Sequence, residues 1–218
     1  MPESVDLQAR QINLQVANCT TPANFFHLLR RQLHRNYRKP LVVMTPKSLL
    51  TKPECQSAID DFGPSSSFHR IYPDNNANAV APEKVTRVIF CTGKVYYDLA
   101  KRREDTKRNV CSFPFYLFYT PLLTLLIFQD VAVVRIEQIA PFPFDLVKVQ
   151  LDLYQNAEAV WVQEEPLNQG AWTYVSQRIE TAGRRPRYVG RNPSAAPATG
   201  LALRHSKELD AFLTAAFA

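Results

Sequence analysis

Hydrophobic positions along the chain fall into short runs closed by polar residues, and the cleanest run lies past the midpoint. Val131, Ala132, Val133, Val134 and Ile136 form a β-branched stretch with no surface-facing alternation, the pattern of a central parallel strand covered on both faces. Glu137 and Gln138 follow as a polar tip, then a stiff turn at residues 141–144 and Asp145, placed to cap a helix that runs to about Tyr154. The same grammar recurs. Residues 85–91 read as a strand, Thr92-Gly93 as a tight turn, and Lys94 opens a helix carrying Val95, Tyr96 and Leu99, with an end near Arg103. A strand at 159–163 ends in Glu164-Glu165 before a helix near 172–180, and Tyr188-Val189 ends at Gly190-Arg191 before a helix near 206–217. Strands and helices alternating at short intervals predict an α/β domain with an open, doubly wound, mostly parallel sheet.

Upstream, Thr21 and Pro22 give an N-cap followed by an N1 proline. Phe25, Phe26, Leu29, Leu33 and Tyr37 recur on one face of the ensuing helix, with Arg30, Arg31, His34, Arg35 and Arg38 on the other. That spacing predicts a helix docked on a sheet through its apolar side, with the cationic side in water. Pro40 ends it, and residues 41–45 make a short buried strand stopped by Pro46. Residues 1–18 show no sustained periodicity, carry neither a signal core nor the acid-poor pattern of a transit peptide, and read as though begun in mid-protein. Residues 47–82, broken by Pro53, Gly63, Pro64 and Pro73, read as an inter-domain linker and surface loops with a brief strand near 68–71.

One run breaks the grammar. Residues 109–129 are uncharged and long enough to span a bilayer, with Lys101, Arg102 and Arg103 upstream as a basic flank. Pro114 and Pro121 weaken any helix there, and a span inserted between adjacent strands would tear the sheet apart. The expectation is an extra apolar segment outside the packed sheet.

Composition changes this picture little. With 218 residues, 46% hydrophobic and 21% charged, the chain can bury a sizeable core in one large or two small domains. A net charge of +6 admits anionic partners, but the basic residues are scattered, which argues against nucleic acid. Cys19, Cys55, Cys91 and Cys111 stand far apart with no zinc spacing, so reduced structural thiols are expected.

Ligands of open α/β sheets favour the edge beyond the carboxyl ends of the strands. The candidate effector or anion site is therefore Thr92, Gly93, Lys94, Glu137, Gln138 and Arg191. The Gly93-Lys94 turn pairs a helix N-terminus with an ammonium, Arg191 adds charge, and Glu137 and Gln138 would hold a sugar or amide. The same loops also fit ordinary solvated tips and domain contacts.

Five phrases carry a family resemblance: NCTTPANFFHLLRRQLHRNYRKPLVVMTPKSLL, RVIFCTGKVYYDLAKRR, RIEQIAPFPFD, WVQEE and YVGRNPSAAPATG. Together they resemble the C-terminal end of the thiamine-dependent first component of the 2-oxoglutarate dehydrogenase complex. The resemblance implies a transketolase-like, Rossmann-like C-terminal domain at 53–218, with an atypical apolar insertion at about 105–130. A helix-strand remnant of a pyrimidine-binding domain at 1–52 would precede it. It also implies a fragment of an enzyme. The complete subunit, with thiamine diphosphate and magnesium, decarboxylates 2-oxoglutarate in the tricarboxylic acid cycle and succinylates the lipoyl arm of the dihydrolipoyl succinyltransferase component. Pairing as a homodimer or with a full-length subunit is implied, as are a nucleotide or acyl-CoA effector site in some members and location in the mitochondrial matrix in a eukaryote, otherwise the cytoplasm.

Two departures stand out: an apolar run where the family has a short polar connection, and Thr51 where arginine commonly follows Ser-Leu-Leu. The resemblance implies a Gly-Asp-Gly motif ending in asparagine and an activating glutamate on the pyrimidine domain, neither of which this sequence carries, and substrate-facing histidines that lie upstream of it. No catalytic, cofactor-binding or metal residue is therefore expected, His27, His34, His69 and His205 inherit no role, and the chain alone is expected to be inactive. His27 and His34 are expected at the surface of the arginine-rich helix. Two other readings stay open. A non-catalytic module binding a phosphorylated ligand or a full-length partner would lack an upstream frame encoding a cofactor domain; a membrane-tethered domain would follow the membrane fraction.

Overall fold

A computed structural model of the chain describes residues 5–74, 81–111 and 130–218. In chain order the elements are α1 (Val5–Gln11), β1 (Gln15–Ala17), α2 (Pro22–His34), β2 (Leu41–Val43), β3 (Ile71–Tyr72), β4 (Arg87–Cys91), α3 (Val95–Cys111), β5 (Val131–Ile136), β6 (Gln138–Ala140), α4 (Phe144–Leu153), β7 (Glu158–Pro166), α5 (Trp172–Ala182), β8 (Arg187–Arg191) and α6 (Ala202–Phe217). Most of the 109–129 run lies outside the described residues, and α3 continues past Arg103 to Cys111. Among the described residues no helix is long and apolar enough to cross a membrane.

The main sheet has the order β3-β5-β4-β7-β8, parallel throughout except for β3, which runs antiparallel to β5. Alternate residues of its strands bury against helices on opposite faces. Val88, Phe90, Val134 and Trp161 pack with Val147 and Leu151 of α4 and Val175 and Ile179 of α5. Ile89, Val133, Val160 and Val162 pack with Val95 and Leu99 of α3 and Phe212 and Leu213 of α6. This is the doubly wound α/β architecture that the apolar runs predicted. Burial in this core pushes the Cys91 thiol up to about 12.

A second sheet, β2-β1-β6, joins the N-terminal segment to the rest. β1 and β2 are parallel, and β6 pairs antiparallel with β1. Residues 1–18 thus contain a helix and a strand, each too short to show a period in sequence. Strand β6 forms where the sequence suggested a polar tip and turn. The cap of α4 is Pro143 with no side-chain bond, while Asp145 pairs with Arg70 through bonds of 2.8 and 2.6 Å.

Helix α2 begins as expected, with the Thr21 hydroxyl accepting from Asn24 N–H at 3.2 Å. Its orientation is a correction. The buried residues are Ala23, Asn24, His27 and Leu28, whereas Phe25, Phe26, Leu29 and Leu33 face outward, Leu33 with 78% of its surface exposed. The polar side finds partners in the supposed linker. His27 Nε2 bonds Asp61 O at 2.7 Å, Arg30 bonds Gly63 O at 3.3 Å and also Ser66 O, and the Arg31 guanidinium lies 4.1 Å over the Phe68 ring. Hydrogen bonds that satisfy backbone carbonyls of residues 61–66 decide the docking side. His27 is therefore a buried residue and not a surface one.

Candidate site at the carboxyl ends of the strands

The winding of the main sheet reverses at β4: the chain passes from β4 through α3 to β5 on one side, then from β5 to β7 on the other. Such a switch point opens a crevice beyond the strand ends, and Thr92, Gly93 and Lys94 sit at its centre. Residues 17–24, the end of β1 and the turn into α2, fill the half next to β5. Asn18 N–H donates to Glu137 O at 2.8 Å, and Gly93 adopts φ +70°, with its backbone so close to the Asn18 amide that a Cβ would collide.

Thr20 is the hub of this filled half. Its N–H and hydroxyl donate to the two oxygens of Glu137 at 2.7 and 2.5 Å, and Asn24 Nδ2 donates to Glu137 Oε2 at 3.0 Å. The Thr20 carbonyl accepts from the Tyr97 hydroxyl at 2.5 Å and the Cys55 thiol at 3.3 Å. Arg135 Nη1 donates to Thr20 Oγ1 at 2.9 Å, and its guanidinium lies 4.4 and 4.2 Å from the rings of Tyr72 and Tyr96. Glu137 has no exposed surface. Burial raises its pKa above the ordinary glutamate value, opposed by the Thr20 bond, the Arg135 charge and Asn24. A carboxylate with both oxygens engaged is a clasp between the two sheets. Fully buried, it is not presented to an incoming group.

Gln138 belongs to the same joint. It is buried, its backbone pairs with Ala17, and its Nε2 donates to Pro141 O at 2.7 Å. The structure therefore divides the six predicted residues. Glu137 and Gln138 lie in the joint between the two sheets, while Thr92, Lys94 and Arg191 line the open half, a cavity of about 400 Å³ shared with Asn18, Glu164 and His205.

The cations in this cavity already have partners. Lys94 Nζ lies 2.7 Å from Glu164 and 3.6 Å from Asp98. Burial disfavours its charge, but these carboxylates outweigh burial and leave its pKa raised. Arg191 donates to Glu164 O at 2.5 Å and Pro197 O at 3.2 Å and faces Glu208 at 3.7 Å. A phosphate entering here must compete with Glu164 for Lys94. Sequence reading missed Thr20, Asn24 and Arg135. The one available signal was a tight group of small polar residues, 18–24, around Pro22.

Comparison with known proteins covers nearly the whole chain. A family model described as 2-oxoglutarate dehydrogenase C-terminal matches residues 56–113 and 125–217, and one described as the transketolase pyrimidine binding domain matches residues 7–53. Among similar proteins, a mitochondrial 2-oxoglutarate dehydrogenase-like protein of Pongo abelii is 46% identical over 213 residues, 96% of this chain and 19% of the relative. The mitochondrial 2-oxoglutarate dehydrogenase of Caenorhabditis elegans is 44% identical, with 96% and 19% covered, and that of Dictyostelium discoideum 42%, with 95% and 19%. The chain thus spans about a fifth of the length of these relatives. A split-gene transketolase solved as an inactive β4 tetramer shares the fold, with a TM-score of 0.55 at 13% identity over 94% of this chain and 57% of that one.

Proposed function

Since the chain belongs to the 2-oxoglutarate dehydrogenase family, we propose that it is the C-terminal part of a thiamine diphosphate-dependent subunit. That subunit decarboxylates 2-oxoglutarate and passes the succinyl group to the lipoyl arm of a dihydrolipoyl succinyltransferase. Residues 1–52 close the pyrimidine-binding domain, residues 53–218 form the C-terminal domain, and the part in hand supplies packing and dimer surface. The names of its relatives support a mitochondrial location, with the matrix as the compartment.

The observation that carries this reading is the match along 96% of the chain to 19% of the relatives. The residues in hand do not fit the cofactor. The sequence has no Gly-Asp-Gly followed by asparagine. Among the described residues no cluster of three His, Cys, Asp or Glu side chains is placed to hold a metal. Glu137 has both oxygens engaged. The diphosphate and magnesium are therefore held by other parts of a complete subunit, where the cofactor supplies the carbanion-stabilising ring. Calorimetry on the isolated chain with thiamine diphosphate and magnesium tests this: no binding and no decarboxylation are expected, and micromolar binding with turnover would refute it.

A second reading rests on the cavity beside Lys94. Thr92, Gly93, Lys94 and Arg191 form an effector subsite for a phosphorylated ligand or acyl-CoA. The turn supplies N–H donors, and Lys94 exchanges Glu164 for the ligand's phosphate.

A further inference from the structure

Strand β8 ends the main sheet. It pairs with β7 on one side, and among the described residues no strand pairs with its other edge. Leu167 N–H donates to Arg191 O at 3.0 Å, so Arg191 turns its backbone toward β7. The alternation of a regular strand then turns the N–H and C=O groups of Tyr188 and Gly190 outward. A cavity of about 580 Å³ runs along that edge, bounded by β8, residues 192–199 and α6.

The walls of this groove are basic. Arg187, Arg191 and Arg204 line it with one carboxylate, Glu208, and that carboxylate is shared between Arg204 at 2.8 Å and Arg191 at 3.7 Å. Beside it, Glu158 is shared between Arg187 at 2.6 Å and Arg87 at 3.1 Å. Two carboxylates thus face four guanidiniums. An open edge recruits extended backbone, and the charge along it selects which backbone. A second copy of the same edge would bring like charges together.

We propose that the β8 edge docks an extended acidic segment of a partner protein. The segment adds as a further strand, hydrogen-bonded to Tyr188 and Gly190, with its carboxylates set against the exposed Arg187 and Arg204. This inference does not depend on the cofactor.

The test is fluorescence anisotropy of the whole chain with a labelled peptide of about ten residues alternating glutamate and valine. Saturable binding is expected, weakening as salt rises. Arg204→Glu, a change at an exposed position, should weaken it about tenfold, and an alternating lysine-valine peptide should not bind. Two further peptides, N-methylated at every second residue in one register or the other, separate strand addition from simple charge attraction, because only one edge of the peptide faces β8. One version should lose binding and the other keep it. Equal binding by both, equal binding by the lysine peptide, or no saturation up to about 1 mM would overturn the proposal. So would a concentration-dependent dimer that Arg204→Glu dissociates, which would assign the edge to a second copy.

Discussion

Thr20→Val keeps the shape of a buried side chain and its backbone N–H but deletes the hydroxyl that joins the two sheets. Two groups lose a partner: Glu137 Oε1, which accepts from that hydroxyl at 2.5 Å, and Arg135 Nη1, which donates to it at 2.9 Å. A hydrogen bond to a charged group contributes about 1.5–3 kcal/mol, and a buried group left without one costs about 1–3 kcal/mol. Arg135 is partly exposed and keeps its two tyrosine faces, so most of the loss falls on Glu137, and a destabilisation of about 3 kcal/mol is expected. Urea unfolding followed by circular dichroism measures it as a lower midpoint at unchanged slope. Paired with Glu137→Gln, the double variant should be less destabilised than the sum of the singles, with a coupling of about 1–3 kcal/mol.

The pH dependence follows from the direction of the Glu137 shift. Its folded pKa is raised by burial, so its contribution to stability is complete below the ordinary glutamate range and is lost as pH rises through the raised value. Glu137→Gln cannot titrate. The stability of the parent minus that of this variant should therefore shrink with rising pH across that window. A Thr20→Val change within about 0.5 kcal/mol of the parent would show that the clasp is not what holds the sheets together, and a difference independent of pH would show that burial does not raise the Glu137 pKa.

Three further outcomes are expected. Gly93→Ala, at φ +70° and against the Asn18 amide, should lower stability by about 2 kcal/mol, measured by urea unfolding. Replacing residues 112–129 by a short glycine-serine connection should leave the circular dichroism spectrum and unfolding midpoint unchanged, because β4 and β5 pair directly from Arg87 with Val131 to Cys91 with Arg135; an unfolded product would place that segment in the core. In a complete homologous subunit, replacing the counterpart of Lys94 by alanine should weaken the response to a phosphorylated or acyl-CoA effector several-fold. An unchanged response with the Arg191 counterpart also replaced would leave this edge to subunit packing.

The buried strands were legible because a run covered on both faces admits no polar alternation, and residues 131–134 carry none. The start of α2 was legible because Thr21 and Pro22 solve a local problem, the unpaired N–H groups of a helix end. The docking side of α2 was not. Its phenylalanines and leucines form the more obvious stripe, but His27 and Arg30 reach backbone acceptors at 61–66, far along the chain. The candidate site divides for the same reason. Polarity at a strand end marks Glu137 and Lys94 alike, and only the fold reveals that Thr20 and Asn24 close over Glu137 while Lys94 stays beside open space.

The central claim is that this chain is the C-terminal part of a 2-oxoglutarate-decarboxylating subunit, and a chimera tests it most directly. The corresponding C-terminal region of a relative such as the Caenorhabditis elegans protein, 44% identical here, is replaced by this chain without residues 112–129, and release of carbon dioxide from 2-oxoglutarate is measured with thiamine diphosphate and magnesium. The account predicts turnover that disappears when the grafted region is omitted. A chimera that folds, binds thiamine diphosphate as tightly as the parent subunit and yet leaves 2-oxoglutarate untouched would contradict it.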